Sequence, residues 1–243
     1  MLLHNGPLLR IYFGDARDKI SPHQYHNISP DKTIFDFPVF VKLKEVMRLD
    51  RLLFPKQVHG IKGFVVASKN QAKKMKSFTQ EADFLVTNSK RTGLGVMTGD
   101  CLPIVLYDKR NQAIAIVHAG WRSSVGNIVL RALDTMTEEF GTTPKDLRVF
   151  FGPSAKICCY KIGEDMLEHM EDVEFMDRVV QRRGDDLFFD LPGFNRLLLA
   201  GVGVKPDQFV TGYNVCTICD NSFCSHRRQG KESCRQMTVA SLQ

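Results

Sequence analysis

Two histidines and one cysteine stand in three short motifs, Lys56-Gln57-Val58-His59-Gly60, Thr98-Gly99-Asp100-Cys101-Leu102-Pro103 and Val117-His118-Ala119-Gly120-Trp121-Arg122. Two imidazoles, one thiolate and a water make up the ligand set of a catalytic zinc site. The separations are far longer than the ligand spacings of zinc fingers, so spacing alone does not select a metal. A buried free cysteine and a hydrogen-bonded core histidine near strand ends satisfy the same pattern. Cys101 and His118 also supply the nucleophile and base of a cysteine hydrolase or deamidase, which needs only a thiolate activated by imidazole.

Any of these chemistries requires rigid placement. Cys101 follows the apolar run Gly95 to Thr98 and His118 closes the run Ala113 to Val117, which sets both at strand ends. Strand composition recurs at Gly63 to Ala67, Phe84 to Thr87, Gly95 to Thr98, Pro103 to Tyr107 and Ala113 to His118, with Asp108 to Asn111 as a turn. Val125, Val129, Ala132, Leu133, Met136 and Phe140 then recur at three- and four-residue steps, predicting a helix that Gly141 and Pro144 end. Beyond it the sequence predicts a strand at Leu147 to Phe151, a helix from Glu164 to about Val180, a strand at Leu187 to Phe189 and a short helix ending near Ala200. Strands at Phe209 to Tyr213, Ser222 to His226 and Gln236 to Ala240 complete the chain. This is an α/β (α+β) pattern, mixed β-sheets flanked by helices, in a single domain over residues 1–243.

The three motifs closely resemble the hallmarks of the laccase-domain (multicopper polyphenol oxidase, YfiH-like) family of purine nucleoside phosphorylases: Gln-Val-His-Gly, Thr-Ala-Asp-Cys-Leu-Pro and His-Ala-Gly-Trp-Arg, in that order. The resemblance continues through Phe151-Gly152-Pro153-Ser154, Tyr160-Lys161-Ile162-Gly163, Phe189-Asp190-Leu191, Cys216-Thr217, Phe223-Cys224-Ser225-His226-Arg227-Arg228 and Arg235-Gln236, and so covers roughly Leu53 to the C-terminus. Gly99 replaces the usual alanine, His226 stands where tyrosine is common, and Ser233-Cys234 replace Thr-Gly. The first fifty or so residues lack the family's Gly-rich segment, which normally helps to build the substrate pocket.

The resemblance implies a central β-sandwich in α/β/β/α layers, with His59, Cys101 and His118 as zinc ligands. It implies phosphorolysis of adenosine, inosine and methylthioadenosine and deamination of adenosine, so that purine nucleoside and phosphate are the expected partners. Zinc on two imidazoles and a thiolate keeps positive charge and an open position, and acidifies its bound water. Asp100, beside Cys101, is the nearest candidate proton shuttle. Arg227 and Arg228 form the most localised positive charge and suit a bidentate phosphate contact, and Arg122 is a further candidate.

Other readings fit less of the sequence. Copper oxidation, the older family label, sits poorly with seven histidines that contain no His-x-His pair. Known nucleobase deaminases carry His-x-Glu and Pro-Cys-x-x-Cys, whereas Cys216-Thr217-Ile218-Cys219 follows Val215. Cys216, Cys219, Cys224 and Cys234 could supply four thiolates, although the second pair lacks metal-ligand spacing and ordinary buried thiols explain it as well. A non-catalytic family member that keeps its metal is a further alternative.

The 243 residues are 43% hydrophobic, enough for one substantial core, and the formal charge of +6 comes from dispersed Lys and Arg without a nucleic-acid motif. Nothing approaches the roughly 18 uninterrupted apolar residues of a membrane span. Seven cysteines, an odd number, behind an N-terminus that reads as no signal peptide predict a cytoplasmic protein with reduced thiols and no disulfide.

Overall fold

The computed structural model describes residues 2–18, 20–21, 37–66 and 76–243. Along the chain run β1 (Leu2–Asn5), β2 (Leu9–Phe13), α1 (Pro38–Met47), β3 (Arg51–Leu53), β4 (Gly63–Val66), β5 (Phe84–Thr87), β6 (Thr92–Thr98), β7 (Leu102–Asp108) and β8 (Ala113–Ala119). Then follow α2 (Trp121–Val125), α3 (Ile128–Phe140), β9 (Leu147–Phe151), β10 (Lys161–Ile162), α4 (Glu164–Glu168), β11 (Val180–Arg183) and β12 (Asp186–Phe189). The last elements are α5 (Leu191–Gly201), β13 (Phe209–Val210), α6 (His226–Gln229) and β14 (Gln236–Leu242).

Two mixed sheets face one another, a five-stranded one in the order β1-β2-β14-β6-β3 and a six-stranded one in the order β13-β9-β7-β8-β5-β4. Successive side chains along a strand point to opposite faces, and the sequence obeys that period. Leu9, Ile11 and Phe13 of β2 meet Val105 and Tyr107 of β7 and Ile114 and Ile116 of β8 between the sheets. Ile104, Leu106, Ala115 and Val117 turn the other way, onto Ile128, Val129, Ala132, Leu133 and Met136 of α3 and Phe194 of α5. On the far side Tyr12, Met237 and Val239 pack against Phe40, Leu43 and Met47 of α1. The layers are therefore helix, sheet, sheet, helix, as the resemblance implies.

Helix ends follow their local chemistry. Gly141 closes α3 in a left-handed turn, φ 68°, where a side chain would be strained. Asp190 caps α5 by accepting from Gly193 N–H at 3.0 Å, and Pro192 occupies the first turn without costing a hydrogen bond.

Several sequence expectations are corrected. The helix from Glu164 to about Val180 stops at Glu168. Its three-residue apolar steps are served instead by successive turns, Met170 N–H to Leu167 O, Val173 to Met170 and Met176 to Val173, before the chain enters β11. Ser222 to His226 forms a turn and a helix start, not a strand, because Ser225 caps α6 by accepting from Arg228 N–H. The strand expected at Phe209 to Tyr213 is only Phe209–Val210. Ala67, the last residue of another expected strand, and most of the charged stretch Lys69 to Lys76 lie outside the described residues. The divergent N-terminus is built into the sandwich, with β2 pairing along β14 from Leu9↔Leu242 to Phe13↔Thr238.

The thiol expectation fails at one pair. Cys224 and Cys234 form a disulfide, Cα to Cα 5.3 Å, because α6 and the 3₁₀ turn at Gly230–Glu232 fold the chain back on itself. That closure is a property of the loop's path, which reasoning from compartment does not see. It also removes these two cysteines from the four-thiolate set with Cys216 and Cys219. None of the described helices is long and apolar enough to cross a membrane.

Candidate functional site

One end of the six-stranded sheet gathers the three chemical motifs. β7 and β8 run antiparallel with Pro103 opposite His118 and Leu102 opposite Ala119, so Cys101, just before β7, arrives beside His118 near the end of β8. β5 is the next strand over, and His118 N–H donates to the backbone oxygen of Asp83, the residue just before it. The loop carrying His59 enters β4, which lies parallel to β5. The donor atoms of His59, Cys101 and His118 consequently lie within 4.8 Å of one another.

Asp83 organises this centre, and the sequence motifs did not reveal it. Its fully buried carboxylate accepts from His59 N–H at 3.0 Å, Gly60 N–H at 2.6 Å and Val58 N–H at 3.3 Å, and from His118 Nδ1 at 2.8 Å. The three backbone donors hold His59 in the left-handed region, φ 59°, a conformation that costs a non-glycine residue about 1 kcal/mol and so needs support. The Nδ1 bond leaves the other nitrogen of His118 for Cys101. The signal was present as an acid directly before the apolar run Phe84–Thr87, but many strands begin that way.

The electrostatics follow. Burial works against a charged Cys101, yet His118 and hydrogen bonds from both imidazoles outweigh it and bring the thiol down to about 6. For His118, burial is outweighed by the Cys101 charge and the Asp83 bond, and its pKa rises to about 9. Burial would raise Asp83, but His118 and the backbone donors hold it below the usual carboxylate range. Metal-free, the centre is an Asp, imidazolium, thiolate row.

The close packing explains Gly120. A Cβ there would stand 3.3 Å from both Cys101 Sγ and His59 Cδ2, so the glycine leaves the room in which the three donors meet. Gln57 fixes the His59 loop from the other side, donating to Met97 O and accepting from Met97 N–H, each at 2.8 Å.

A cavity of about 460 Å³ opens over the centre, within the range of about 300–1,000 Å³ typical of small-molecule sites. Pro55, Phe78 and Met97 give it an apolar wall, and Arg122, Arg227 and Arg235 a cationic one, with His226 beside them. Arg235 and Tyr160 were quoted in the sequence only as parts of motifs; both line this space. Arg235 Nη1 is held by the Ser233 and Cys234 carbonyls. Tyr160 is buried, which pushes its hydroxyl above its ordinary pKa, and the Cys101 charge adds to that, so the group stays protonated.

The remaining sequence candidates divide. Asp100 lines the cavity with φ 93°, but its oxygens accept from Thr217 Oγ1 at 2.7 Å and Arg227 N–H at 2.6 Å, so it ties the Cys101 loop to two others and is poorly placed to carry protons. Arg227 reaches the cavity, with its guanidinium 4.9 Å from the Tyr160 ring centre and one arm on Lys161 O. Arg228 does not line it: its guanidinium donates to the carbonyls of Thr217, Ile218, Asp220 and Phe223. Arg122 reaches the rim and stacks on Trp121 at 4.1 Å.

The comparisons with known proteins agree with these motifs. Residues 40–243 match the family model described as multi-copper polyphenol oxidoreductase laccase. A purine nucleoside phosphorylase of Clostridium acetobutylicum is 32% identical over 160 residues, 65% of this chain and 66% of that protein, so the match spans just under two thirds of the relative. Adenosine deaminase RL5, from an unknown prokaryotic organism, is 32% identical over 197 residues, 78% of this chain and 74% of its own. The crystal structure of the Bacillus licheniformis hypothetical protein YfiH superposes with a TM-score of 0.81 over 99% of both chains at 21% identity, a likeness of fold. With its motifs gathered at one sheet end and the family model spanning all three, this chain belongs to the multi-copper polyphenol oxidoreductase laccase (YfiH-like) family.

Proposed function

We propose that this chain is a purine nucleoside enzyme that cleaves nucleosides by phosphorolysis and deaminates adenosine, with zinc held by His59, Cys101 and His118. The observation that carries the reading is the convergence of those three donors under a cavity with one apolar and one cationic wall. The names of the relatives support the substrate class. Donors around a zinc lie about 3.3 to 3.8 Å apart, so a set already within 4.8 Å needs only small adjustments. The room kept by Gly120 suits the same occupant. When bound, the metal supplies Lewis acidity and a lowered pKa for water in its open position.

The chain's own groups do the rest. Pro55, Phe78 and Met97 offer the purine a dry surface. Arg227 and Arg235, with Arg122 at the rim, hold phosphate against the ribose and stabilise charge as the glycosidic bond breaks. Tyr160, kept protonated by burial, can donate to the departing base. Asp83 fixes the tautomer and orientation of His118, and Asp100 is a positioning residue for the Cys101 and Arg227 loops.

One observation favours a second reading. Asp83, His118 and Cys101 form the acid, base and nucleophile row of a thiol hydrolase without any metal. Incubation of the purified protein with phosphate and adenosine or inosine, with chromatography of the products, decides between them. The nucleoside reading expects free base and ribose 1-phosphate, with inosine and ammonia formed from adenosine. Amide hydrolysis that survives chelation and stops on thiol alkylation, with every purine nucleoside left intact, would overturn it.

A further inference from the structure

A second set of metal ligands lies outside the cavity. Cys158, Cys159, Cys216 and Cys219 bring their four sulfurs within 4.8 Å of one another. They come from two loops joined by a short ladder, in which Ser154 N–H donates to Val215 O and Thr217 N–H to Ser154 O, both at 3.0 Å. Neighbouring side chains in an extended segment point apart, yet adjacent Cys158 and Cys159 converge. A turn makes this possible, with Cys159 and Tyr160 N–H both donating to Lys156 O. On the second loop, Asp220 N–H donates to Cys216 O, curling Cys216-Thr217-Ile218-Cys219 so that both of its sulfurs face the first pair.

We propose that these four cysteines form a closed, four-thiolate zinc site that braces the wall of the cavity. Four sulfurs around one zinc, each at about 2.3 Å, stand about 3.8 Å apart. Two of the observed contacts are shorter than that, Cys159 to Cys219 at 2.7 Å and Cys158 to Cys219 at 3.4 Å, and all four sulfurs lie within 4.8 Å of one another, so a small spreading of the cluster reaches tetrahedral spacing. A disulfide between Cys159 and Cys219 would employ two sulfurs and give no reason for the other two to gather there.

The surroundings suit the double negative charge that zinc on four thiolates carries. Arg183 donates to Cys158 O and Ile157 O, Arg228 to Thr217 O and Ile218 O, and Lys156 Nζ to Asn214 O, so three cations hold the same two loops. Soft, all-sulfur ligation with tetrahedral spacing selects zinc over the hard divalent cations. With no position left for water, the site is structural. Its connection to the cavity is direct: Thr217, inside the Cys216 to Cys219 curl, donates to Asp100, and Tyr160 follows Cys159 in the chain.

The test uses the whole Cys101→Ala chain, purified so that the cluster thiols stay reduced and the Cys224–Cys234 disulfide stays closed, which isolates the cluster from the His59 centre. Elemental analysis is expected to find about one zinc per chain, and zinc X-ray absorption a shell of four sulfurs at about 2.3 Å. Adding Cys219→Ser should bring the zinc close to zero. Should that double variant fail to fold, cobalt loading of Cys101→Ala alone answers the same question through the sulfur-to-metal charge-transfer bands of a tetrahedral site. A folded Cys101→Ala chain with that disulfide intact, whose four cluster thiols titrate freely and take up neither zinc nor cobalt, would overturn the proposal. So would a nitrogen- and oxygen-dominated shell around any zinc retained.

Discussion

The molecule gathers two sets of residues able to hold a metal, and they differ in what surrounds them. His59, Cys101 and His118 sit at a sheet end, two imidazoles and one sulfur under an open cavity, with a buried carboxylate behind them. Cys158, Cys159, Cys216 and Cys219 sit on two loops, all sulfur, and line no part of that cavity. Three ligands with an open side leave a place for substrate; four ligands leave none. On the proposed reading, the open side that the fold keeps beside His59, Cys101 and His118 is what separates a reactive centre from a structural one. The two sets meet through Asp100, held by Thr217 of one and adjacent to Cys101 of the other.

Cys101→Ala should have the largest effect and tests that contrast directly. If the open centre performs the chemistry, kcat/KM for nucleoside phosphorolysis falls by at least about a thousandfold, about 4 kcal/mol of transition-state stabilisation, while circular dichroism stays native because the residue is one partly buried side chain. A variant that turns over nucleosides at the normal rate would move the chemistry elsewhere in the cavity.

Asp83→Asn asks whether the open centre depends on the carboxylate behind it. Loss of such a partner of a metal-ligating histidine typically costs 10- to 100-fold in metal affinity or activity, and that range is expected here for zinc affinity measured by competition with a chelator. The stability change has a sign. Asp83 is held below the usual carboxylate range, so its contribution is present above the unfolded carboxylate pKa of about 3.9 and is lost as pH falls through the lower folded value. Wild-type and variant melting temperatures should therefore differ at neutral pH and converge in strong acid.

In the metal-free protein the pH dependence separates stability from reactivity. His118, raised to about 9, stabilises the fold fully below its unfolded value near 6.5 and loses that contribution as pH rises through about 9. Cys101, lowered to about 6, contributes above its unfolded value of about 8.5 to 9 and loses that as pH falls through about 6. Between these limits the proton released by the thiol is balanced by the one kept on the imidazole, so stability should be nearly flat from about pH 6.5 to 8.5. Thiol reactivity reveals the pair instead. Alkylation of Cys101 by iodoacetamide should be half-maximal near pH 6 and, at pH 7, several-fold faster than at an ordinary thiol, the larger thiolate fraction being partly offset by weaker nucleophilicity. A midpoint near 9 would mean that the imidazoles do not hold the thiolate.

How much of this could be read from sequence depends on range. Strands β5 and β9 have the expected limits, β7 and β8 nearly so, and α3 agrees from Ile128 on, Val125 belonging instead to α2 across a break at Gly126 and Asn127, because a period of two or of 3.6 is a local property that burial enforces. The His59, Cys101 and His118 set was legible through its motifs. Asp83 was not, since its role exists only once β5 lies beside β8, and an acid before a strand carries no sign of the three N–H groups that will face it. The Cys224–Cys234 disulfide and the gathering of Cys158 and Cys159 with Cys216 and Cys219 were hidden for the same reason. Each depends on a loop's return path, which composition does not encode. Arg227 and Arg228 are adjacent letters with opposite duties, separated by the rotation of a short helix.

That last pair gives the smallest expected effect on catalysis and the finest test of the cavity's boundary. Arg227 faces the cavity from an exposed position with one arm already on Lys161 O, so Arg227→Ala should raise the KM for phosphate by about threefold, under 1 kcal/mol, as for other exposed charge contacts. Arg228 satisfies four backbone carbonyls, and Arg228→Ala should leave the phosphate KM unchanged while lowering stability by about 2 kcal/mol in urea unfolding, the usual order for a lost charged donor. Steady-state phosphate titrations beside urea curves for both variants separate the roles. The opposite pattern, a phosphate defect in Arg228→Ala with Arg227→Ala silent, would mean that the anion sits beneath α6 on the side of the four cysteines instead of over the His59 centre.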